Sequence, residues 1–354
     1  MRLYIIIIET INISNRNGGS IMLTKILFTH EDLDGAGCKI VFEVYCSNMK
    51  KGIDYDVITC SNSNIDKIVR NSLDKPEYIN ENTYIYFADI CPSVELVSEI
   101  INKFGEGHLM IYDHHKTNIG IKEICKNAVI SIEDKDCLQC GASLLLRSLD
   151  KYLYHILDTN HLFFLIDLID NIRSYDTWEW KIVDNTYPKR FQILFSLLGI
   201  DSFCERFVNI ITRSESVPKD IISSIDNEFI DAKLKRDSEI INNISEDDIH
   251  QATVNGYRVA LLIKSMGASI SDIADSFLKK YPQYDIFAYV SFYKGLVFEF
   301  RTRREDLDLG TEIAKPIGGG GHPKAAGAPI PDYIKELLVD VFVDHMNGRI
   351  TRIP

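Results

Sequence analysis

No run in the chain approaches the roughly 20 consecutive apolar residues of a bilayer span, so no membrane-embedded segment is expected. The apolar run 5–8 is too short for a secretory hydrophobic region, and no small-residue cleavage site follows it. Cysteine is absent beyond Cys204. The eight present (Cys38, Cys46, Cys60, Cys91, Cys125, Cys137, Cys140 and Cys204) follow no dense framework spacing, which predicts reduced thiols in a cytoplasmic protein. Cys137-Leu138-Gln139-Cys140 is a single C-x-x-C with no second pair, short of a structural zinc site. No G-x-x-x-x-G-K-[ST] run occurs, which excludes a Walker phosphate loop. Internal repeats and low-complexity tracts are also missing. Positive charge is scarce: 39 Lys and Arg against 51 Asp and Glu leave a net charge of -12. That balance argues against gripping long nucleic acid by bulk electrostatics. It leaves room for a short anionic substrate held by a few cations and metal ions.

What is present is a 354-residue chain, long enough for two domains, with an ordinary 45% hydrophobic content. Patterning predicts strands over 23–29, 56–60, 83–88 and 109–112, with helices over 36–46, 65–73 and 94–104 between them. Strands alternating with helices imply a mostly parallel sheet, hence an α/β fold. Helices are predicted over 141–154, 161–173, 191–198 and 203–211, followed by a charged connecting helix within 219–244. From 253 the pattern restarts. A strand over 257–264, a helix over 270–280 and strands over 286–292 and 296–303 follow, the last two joined at a Tyr293-Lys294-Gly295 hairpin. A short helix over 311–315 and a final helix over 331–345 complete a smaller α/β domain. The expected organisation is a loosely attached extension (1–21), a first α/β domain (22–185), a helical linker (186–250) and the smaller domain (251–346).

The polar residues that follow strands carry the chemistry, because the C-terminal ends of parallel strands share one edge, where ligands bind. In Tyr112-Asp113-His114-His115-Lys116, the Asp-His-His triplet follows the strand at 109–112 directly. His30-x-Asp32-x-Asp34-Gly35 follows the first strand; in extended backbone its alternate side chains would face one pocket, and Gly35 would ease the turn into the helix. One of these aspartates could instead be a helix N-cap. Asp89 follows the third strand, where a cap role weighs as much as a ligand role, and Asp176 sits among Tyr175, Trp178 and Trp180. Mixed carboxylate and imidazole donors suit manganese or a related divalent ion. His30, Asp32, Asp34, Asp89, His114 and Asp176 exceed what one ion needs. A pair of ions about 3.5–4 Å apart fits better and is typical of phosphoester hydrolysis, where it lowers the pKa of a water and offsets charge on the phosphoryl oxygens. Glycines 318–321 would let backbone approach an anion, with His322, Lys324 and Arg301 available for charge-assisted bonds. Trp178 and Trp180 could stack on a base, although such residues are more often core.

The segments His30-Glu31-Asp32-Leu33-Asp34-Gly35, Asp89, Asp113-His114-His115 and Gly318-Gly319-Gly320-Gly321-His322 resemble the motifs of the DHH phosphoesterases with their DHH-associated C-terminal domain, over about residues 23–345. Leu33-Asp34-Gly35, Tyr112-Asp113-His114-His115-Lys116-Thr117 and Tyr175-Asp176-Thr177-Trp178-Glu179-Trp180 are most similar to the family's nanoRNase B branch of oligoribonucleases. The resemblance implies a DHH domain holding two Mn2+ ions, a helical linker and a substrate-binding lobe. His30 and Asp32 would hold one ion, Asp34, His114 and Asp176 the other, and Asp89 would bridge them. Asp113 would orient a ligand, and His115 would contact the scissile phosphate. Gly319, Gly320, Gly321 and His322, with Arg301, would grip the substrate's other phosphate or terminal nucleotide. Asp167 and Asp170 compete with Asp176, which its Tyr-Asp-Thr-Trp context favours. The short His-x-Asp spacing departs from branches with a longer gap. The activity implied is Mn-dependent exonucleolytic hydrolysis of short RNA oligonucleotides to mononucleotides. The alternatives are a pAp phosphatase, a cyclic dinucleotide phosphodiesterase and a non-catalytic nucleotide-binding regulator. The expected partners are short RNA or small nucleotides, with homo-oligomerisation left open.

Overall fold

The computed structural model describes residues 23–49, 53–79, 81–134, 137–264, 267–291 and 296–334, with Glu336, Leu337, Asp340 and Val343 beyond them. The extension expected over 1–21, the Tyr293-Lys294-Gly295 turn and positions 335, 338, 339, 341, 342, 344 and 345 of the expected final helix lie outside these residues. Among the described residues no helix is long and apolar enough to cross a membrane, and no disulfide forms. The chain divides between Ile230 and Asp231 into two compact units.

The first unit is built on five parallel strands: β1 (Leu23–His30), β2 (Ile53–Cys60), β3 (Thr83–Ala88), β4 (Leu109–Asp113) and β5 (Ala128–Ile130), in the order β2-β1-β3-β4-β5. Helices α1 (Leu33–Ser47), α2 (Ile65–Leu73) and α3 (Val94–Phe104) connect the strands. The order places the reversal of winding between β1 and β3, the usual crevice for ligands in doubly wound sheets. Side-chain alternation sends Ile26 and Phe28 of β1 to one face, with Ile85 and Phe87 of β3 and Ile111 of β4, against the apolar stripes of α2 and α3. Phe28 and Phe87 stack there with ring centres 5.2 Å apart. The other face carries α1, where the fully buried Lys25 ammonium reaches the Tyr45 hydroxyl at 2.8 Å.

A two-residue ribbon of β6 (Glu133–Asp134) and β7 (Cys137–Leu138) precedes α4 (Gly141–Ile156), α5 (Thr159–Asp176), α6 (Glu179–Ile182) and α7 (Tyr187–Arg213). Within the segment expected as a linker, α7 packs on α1 and α5 and buries Phe191, Leu194, Phe203 and Phe207. It breaks at Gly199, whose φ of 75° is left-handed and costs a glycine little. Next comes α8 (Ser224–Asn242), and the division of the chain falls inside it.

The second unit has a six-stranded sheet in the order β12-β13-β11-β10-β9-β8. Its strands are β8 (Ile249–Val254), β9 (Tyr257–Leu262), β10 (Ile286–Ser291), β11 (Val297–Thr302), β12 (Gly320–His322) and β13 (Ala325–Pro329), with α9 (Ile270–Lys280) between β9 and β10. Here β9 and β10 run parallel and the other pairs antiparallel. Phe277 of α9 packs with Leu262, Phe287 and Tyr289 on one face. Phe300, Leu309 and Ala326 close the other. The structure is therefore the expected α/β fold with a smaller α/β unit after it. Strands β8, β12 and β13 go beyond the pattern's expectation, and the helix expected over 311–315 falls on a π-helical turn (Leu309–Ala314) followed by a 3-10 turn (Lys315–Ile317).

Candidate metal centre

Register explains why distant polar residues meet. Thr29 of β1 pairs with Ala88 of β3, and Ala88 with Tyr112 of β4. The next residue on each strand is therefore on one line: His30, Asp89 and Asp113. Thr29 ties these ends together, its hydroxyl donating to the Ala88 carbonyl at 2.9 Å. Asp89 leaves β3 with φ 60°, a left-handed conformation that aspartate tolerates better than most residues. Its N–H donates to the Tyr112 carbonyl at 2.9 Å.

The first motif is arranged differently from the expected extended alternation. Asp32 is the N-cap of α1, its Oδ1 accepting the Gly35 N–H at 3.0 Å, and Asp34 already lies in the first helical turn. About 100° of rotation per helical residue turns Asp34 inward, and it is 1% exposed. Gly35 serves close approach: a Cβ there would meet the His30 carbonyl oxygen at 2.0 Å. His30 Nδ1 lies 2.6 Å from Asp32 Oδ2.

Three carboxylates surround His114 Nε2: Asp89 at 3.3 Å, Asp176 at 3.5 Å and Asp34 at 3.9 Å. The structure thus gathers two donor sets, His30 with Asp32 and Asp89, and Asp34 with His114 and Asp176, each with donor atoms within 4.8 Å of one another. Asp176 ends α5, while Asp167 and Asp170 stay away from these sets. Asp167 accepts from Asn171, and Asp170 pairs with Arg173.

Burial pushes the carboxyls of Asp89 and Asp176 well above the usual range, and Asp34 and Asp32 beside them push further. Among the described residues, the buried Oδ2 atoms of both make no hydrogen bond. A buried polar atom without a hydrogen bond is expensive, and carboxylates crowded together in a buried site are what a divalent cation relieves. The donor set therefore fits divalent metal on chemistry alone. Asp32 sits far below the usual carboxylate range: burial works against its charge, but the neighbouring His30 outweighs that. Burial lowers His114, and the neighbouring His115 adds to the effect, which favours the neutral imidazole that ligates metal.

Asp113 forms a second tier. Its Oδ1 accepts the His114 N–H at 2.8 Å and contacts His115 Nδ1 at 2.7 Å, while its Oδ2 accepts from Asn118 at 2.6 Å. Burial opposes the charge on His115, but the bond to Asp113 prevails and its pKa is pushed up to about 9.

Sequence reasoning missed the groups that hold Asp34. The N–H groups of Gly141 and Ala142 donate to its two oxygens at 2.6 and 2.9 Å, so the start of α4 acts as an anion clamp. A Cβ on Gly141 would come within 2.5 Å of Asp89 Cβ. Backbone donors carry no side-chain signature; only the glycine at the helix start hints at them. Asn118 was missed as well.

In the second unit, His322 and Arg301 flank Ala325 from the two neighbouring strands. The Arg301 guanidinium donates to Ser271 Oγ, the Phe300 carbonyl and Glu299. Gly319 and Gly321 answer packing, since Cβ atoms there would meet Gly327 O at 2.1 Å and Ala325 O at 2.6 Å. Gly320 has open space around it. Trp180 is core, at 8% exposure, whereas Trp178 is 37% exposed.

The chain has relatives among known proteins. It is 29% identical over 319 residues to the oligoribonuclease NrnB of Bacillus subtilis (strain 168), which covers 88% of this chain and 74% of the relative. The chain is similar to an oligoribonuclease over most of its length. The DHH resemblance carried by the motifs accords with this relative. No family model matches. Among solved structures, the exonuclease RecJ bound to manganese is 12% identical over 94% of this chain and 91% of that one, with a TM-score of 0.45. RecJ of Thermus thermophilus in complex with Mn2+ is 12% identical over 92% and 52%, with a TM-score of 0.48. An uncharacterized protein of Helicobacter pylori is 20% identical over 91% and 99%, with a TM-score of 0.38. At such scores these likenesses carry no functional weight.

Proposed function

We propose that the chain is a metal-dependent phosphodiesterase that hydrolyses short RNA oligonucleotides to mononucleotides with two divalent ions, Mn2+. The observation that carries this reading is the pair of donor sets meeting at Asp89, with unpartnered buried oxygens on Asp89 and Asp176. Similarity to an oligoribonuclease supports it. His30 and Asp32 would hold one ion, Asp34, His114 and Asp176 the other, and Asp89 would lie between them. Two divalent ions lower the pKa of a water and offset charge on the phosphoryl oxygens.

The chain's own residues do the rest. Gly141 and Ala142 fix Asp34 through their N–H groups. Asp113, steadied by Asn118, holds His115 as a cation that can meet a phosphoryl oxygen. Asp113 also fixes the turn that presents His114. On this reading residues 22–185 carry the chemistry, 186–250 link, and 251–346 bind the rest of the substrate through Gly319, Gly320, Gly321, His322 and Arg301. The net charge of -12 suits short substrates, because long polyanions are repelled outside a metal-lined site.

The test is turnover of an end-labelled RNA five-mer with Mn2+, beside pAp and a cyclic dinucleotide, with Asp113→Ala as control. The expected result is a ladder of shortened RNA that vanishes in the control. Cleavage confined to the small nucleotides moves the assignment to a pAp phosphatase or cyclic dinucleotide phosphodiesterase. Tight nucleotide binding without hydrolysis makes the protein a regulator.

A further inference from the structure

Trp178 occupies a conformation that its side chain resists. Its φ is 64° and ψ 6°, between the end of α5 at Asp176 and the short α6. A bulky residue with left-handed backbone is a genuine outlier, and such strain persists where surrounding structure enforces it, often at functional sites. Here the enforcement is visible. Glu179 accepts from Arg173 of α5 and from the Leu138 N–H of β7, which pins the residue after Trp178 on both sides.

The strained backbone presents a tier of rings. Tyr175 stacks on Trp180 with centres 6.0 Å apart and planes 12° from parallel, and Trp180 lies 6.5 Å from Trp178 at 27°. The inner ring is buried and the outer one is 37% exposed. The Lys181 ammonium lies 4.2 Å from the Trp178 ring centre and 5.4 Å from that of Trp180. A rigid, half-open indole with a cation over its ring matches the two parts of a nucleotide: the indole takes a flat base once the flexible lysine swings toward an anionic phosphate. Its place in the chain fits too. Trp178 is two residues beyond Asp176, so its Cα lies within about 7.6 Å of that of Asp176. The Asp176 carboxylate lies 3.5 Å from His114.

We propose that Trp178, backed by Trp180 and flanked by Lys181, is a base-stacking subsite for a nucleobase next to the scissile phosphate; this rests on the function proposed above. Every base offers a flat face, so the subsite demands a base without selecting which one. It makes Trp178 a specificity-determining residue that separates oligonucleotides from phosphodiesters lacking bases.

The chain has only two tryptophans, so its indole fluorescence reports this tier directly. The experiment titrates a hydrolysis-resistant phosphorothioate RNA trimer, and its counterpart with abasic riboses, into the full chain with Mn2+. Only the base-bearing trimer is expected to quench, and quenching is lost in Trp178→Ala. In turnover, Trp178→Ala is expected to raise KM for an RNA trimer roughly 10–100-fold with little change in kcat. Trp178→Phe recovers most of the loss, and the abasic trimer is cleaved alike by all three proteins. Equal quenching by both trimers, or equal loss on both substrates, overturns the subsite and leaves Trp178 structural. A thermal melt guards against misfolding: Trp178→Asn, which accepts the left-handed backbone, is expected to melt no lower than the wild type, and a clear drop also favours a structural role. Quenching by the base-bearing trimer with no turnover of the unmodified RNA trimer retains the subsite while the hydrolase reading fails.

Discussion

The two units each carry a polar, glycine-marked motif, and the structure uses them in opposite ways. At the strand ends of the first unit, carboxylates are buried together and two of their oxygens make no hydrogen bond among the described residues. In the second unit, Arg301 spends its donors on Ser271, Glu299 and a carbonyl of its own strand. Gly141 in the first unit lets a helix start press against Asp89 and clamp Asp34. Gly319 and Gly321 in the second let one hairpin strand lie against another. An unsatisfied cluster marks a place that awaits a ligand, whereas glycines in a row answer tight packing at Gly319 and Gly321 as well.

The largest test of that contrast is Asp89→Asn. Loss of the carboxylate proposed to lie between the two ions should lower metal-dependent kcat/KM more than about 100-fold, beyond the 10–100-fold typical of outer partners. The metal-free variant should melt higher than the metal-free wild type, because a charge disfavoured by burial and by Asp34 and Asp32 has gone. Lower activity with a lower metal-free melting temperature would mean that Asp89 is structural.

Next in size is a matched pair. Gly141→Ala and Gly319→Ala each force a Cβ onto backbone, and overpacking of this kind costs about 1–3 kcal/mol. Only Gly141→Ala should also blunt the rise in melting temperature on adding Mn2+. If Gly319→Ala kept full stability, the packing role of that glycine, and the contrast with it, would fail.

The smallest expected effect concerns neither motif. Asp226 accepts two bonds from Arg206, which hold its pKa down to about 2. A depressed carboxyl contributes stability that is present above its unfolded value near 3.8 and lost as pH falls through 2. Asp226→Asn should therefore flatten the acid limb of the stability curve between pH 4 and 2, and leave the curve at neutral pH lower by a constant offset.

Much of the fold is legible where pattern and cap coincide. Helices 94–104 and 270–280 match the structure to the residue; each begins after a serine whose hydroxyl accepts from the first turn. The pattern places the start of α1 three residues late, because Asp34 and Gly35 are poor helix formers and packing against α4 overrides that preference. β8 is largely exposed, and β12 is mostly glycine, so neither shows the alternation that announces a strand. At the site, the polar residues after strands are visible because side chains write their chemistry into the sequence. The amides of Gly141 and Ala142, and the role of Asn118, are not, because each depends on where another segment arrives.

The unpartnered oxygens of Asp89 and Asp176 reach beyond the reaction. A cation that binds only the folded chain adds about 2.7 kcal/mol of stability when present at 100 times its dissociation constant. The same ion that serves hydrolysis would then also act as a folding aid. Steady-state abundance of the protein in a cell would rise and fall with the supply of transition metal, even with unchanged synthesis. A melting temperature that climbs with the logarithm of Mn2+ concentration, and does so no longer in Asp89→Asn, is the signature of that coupling.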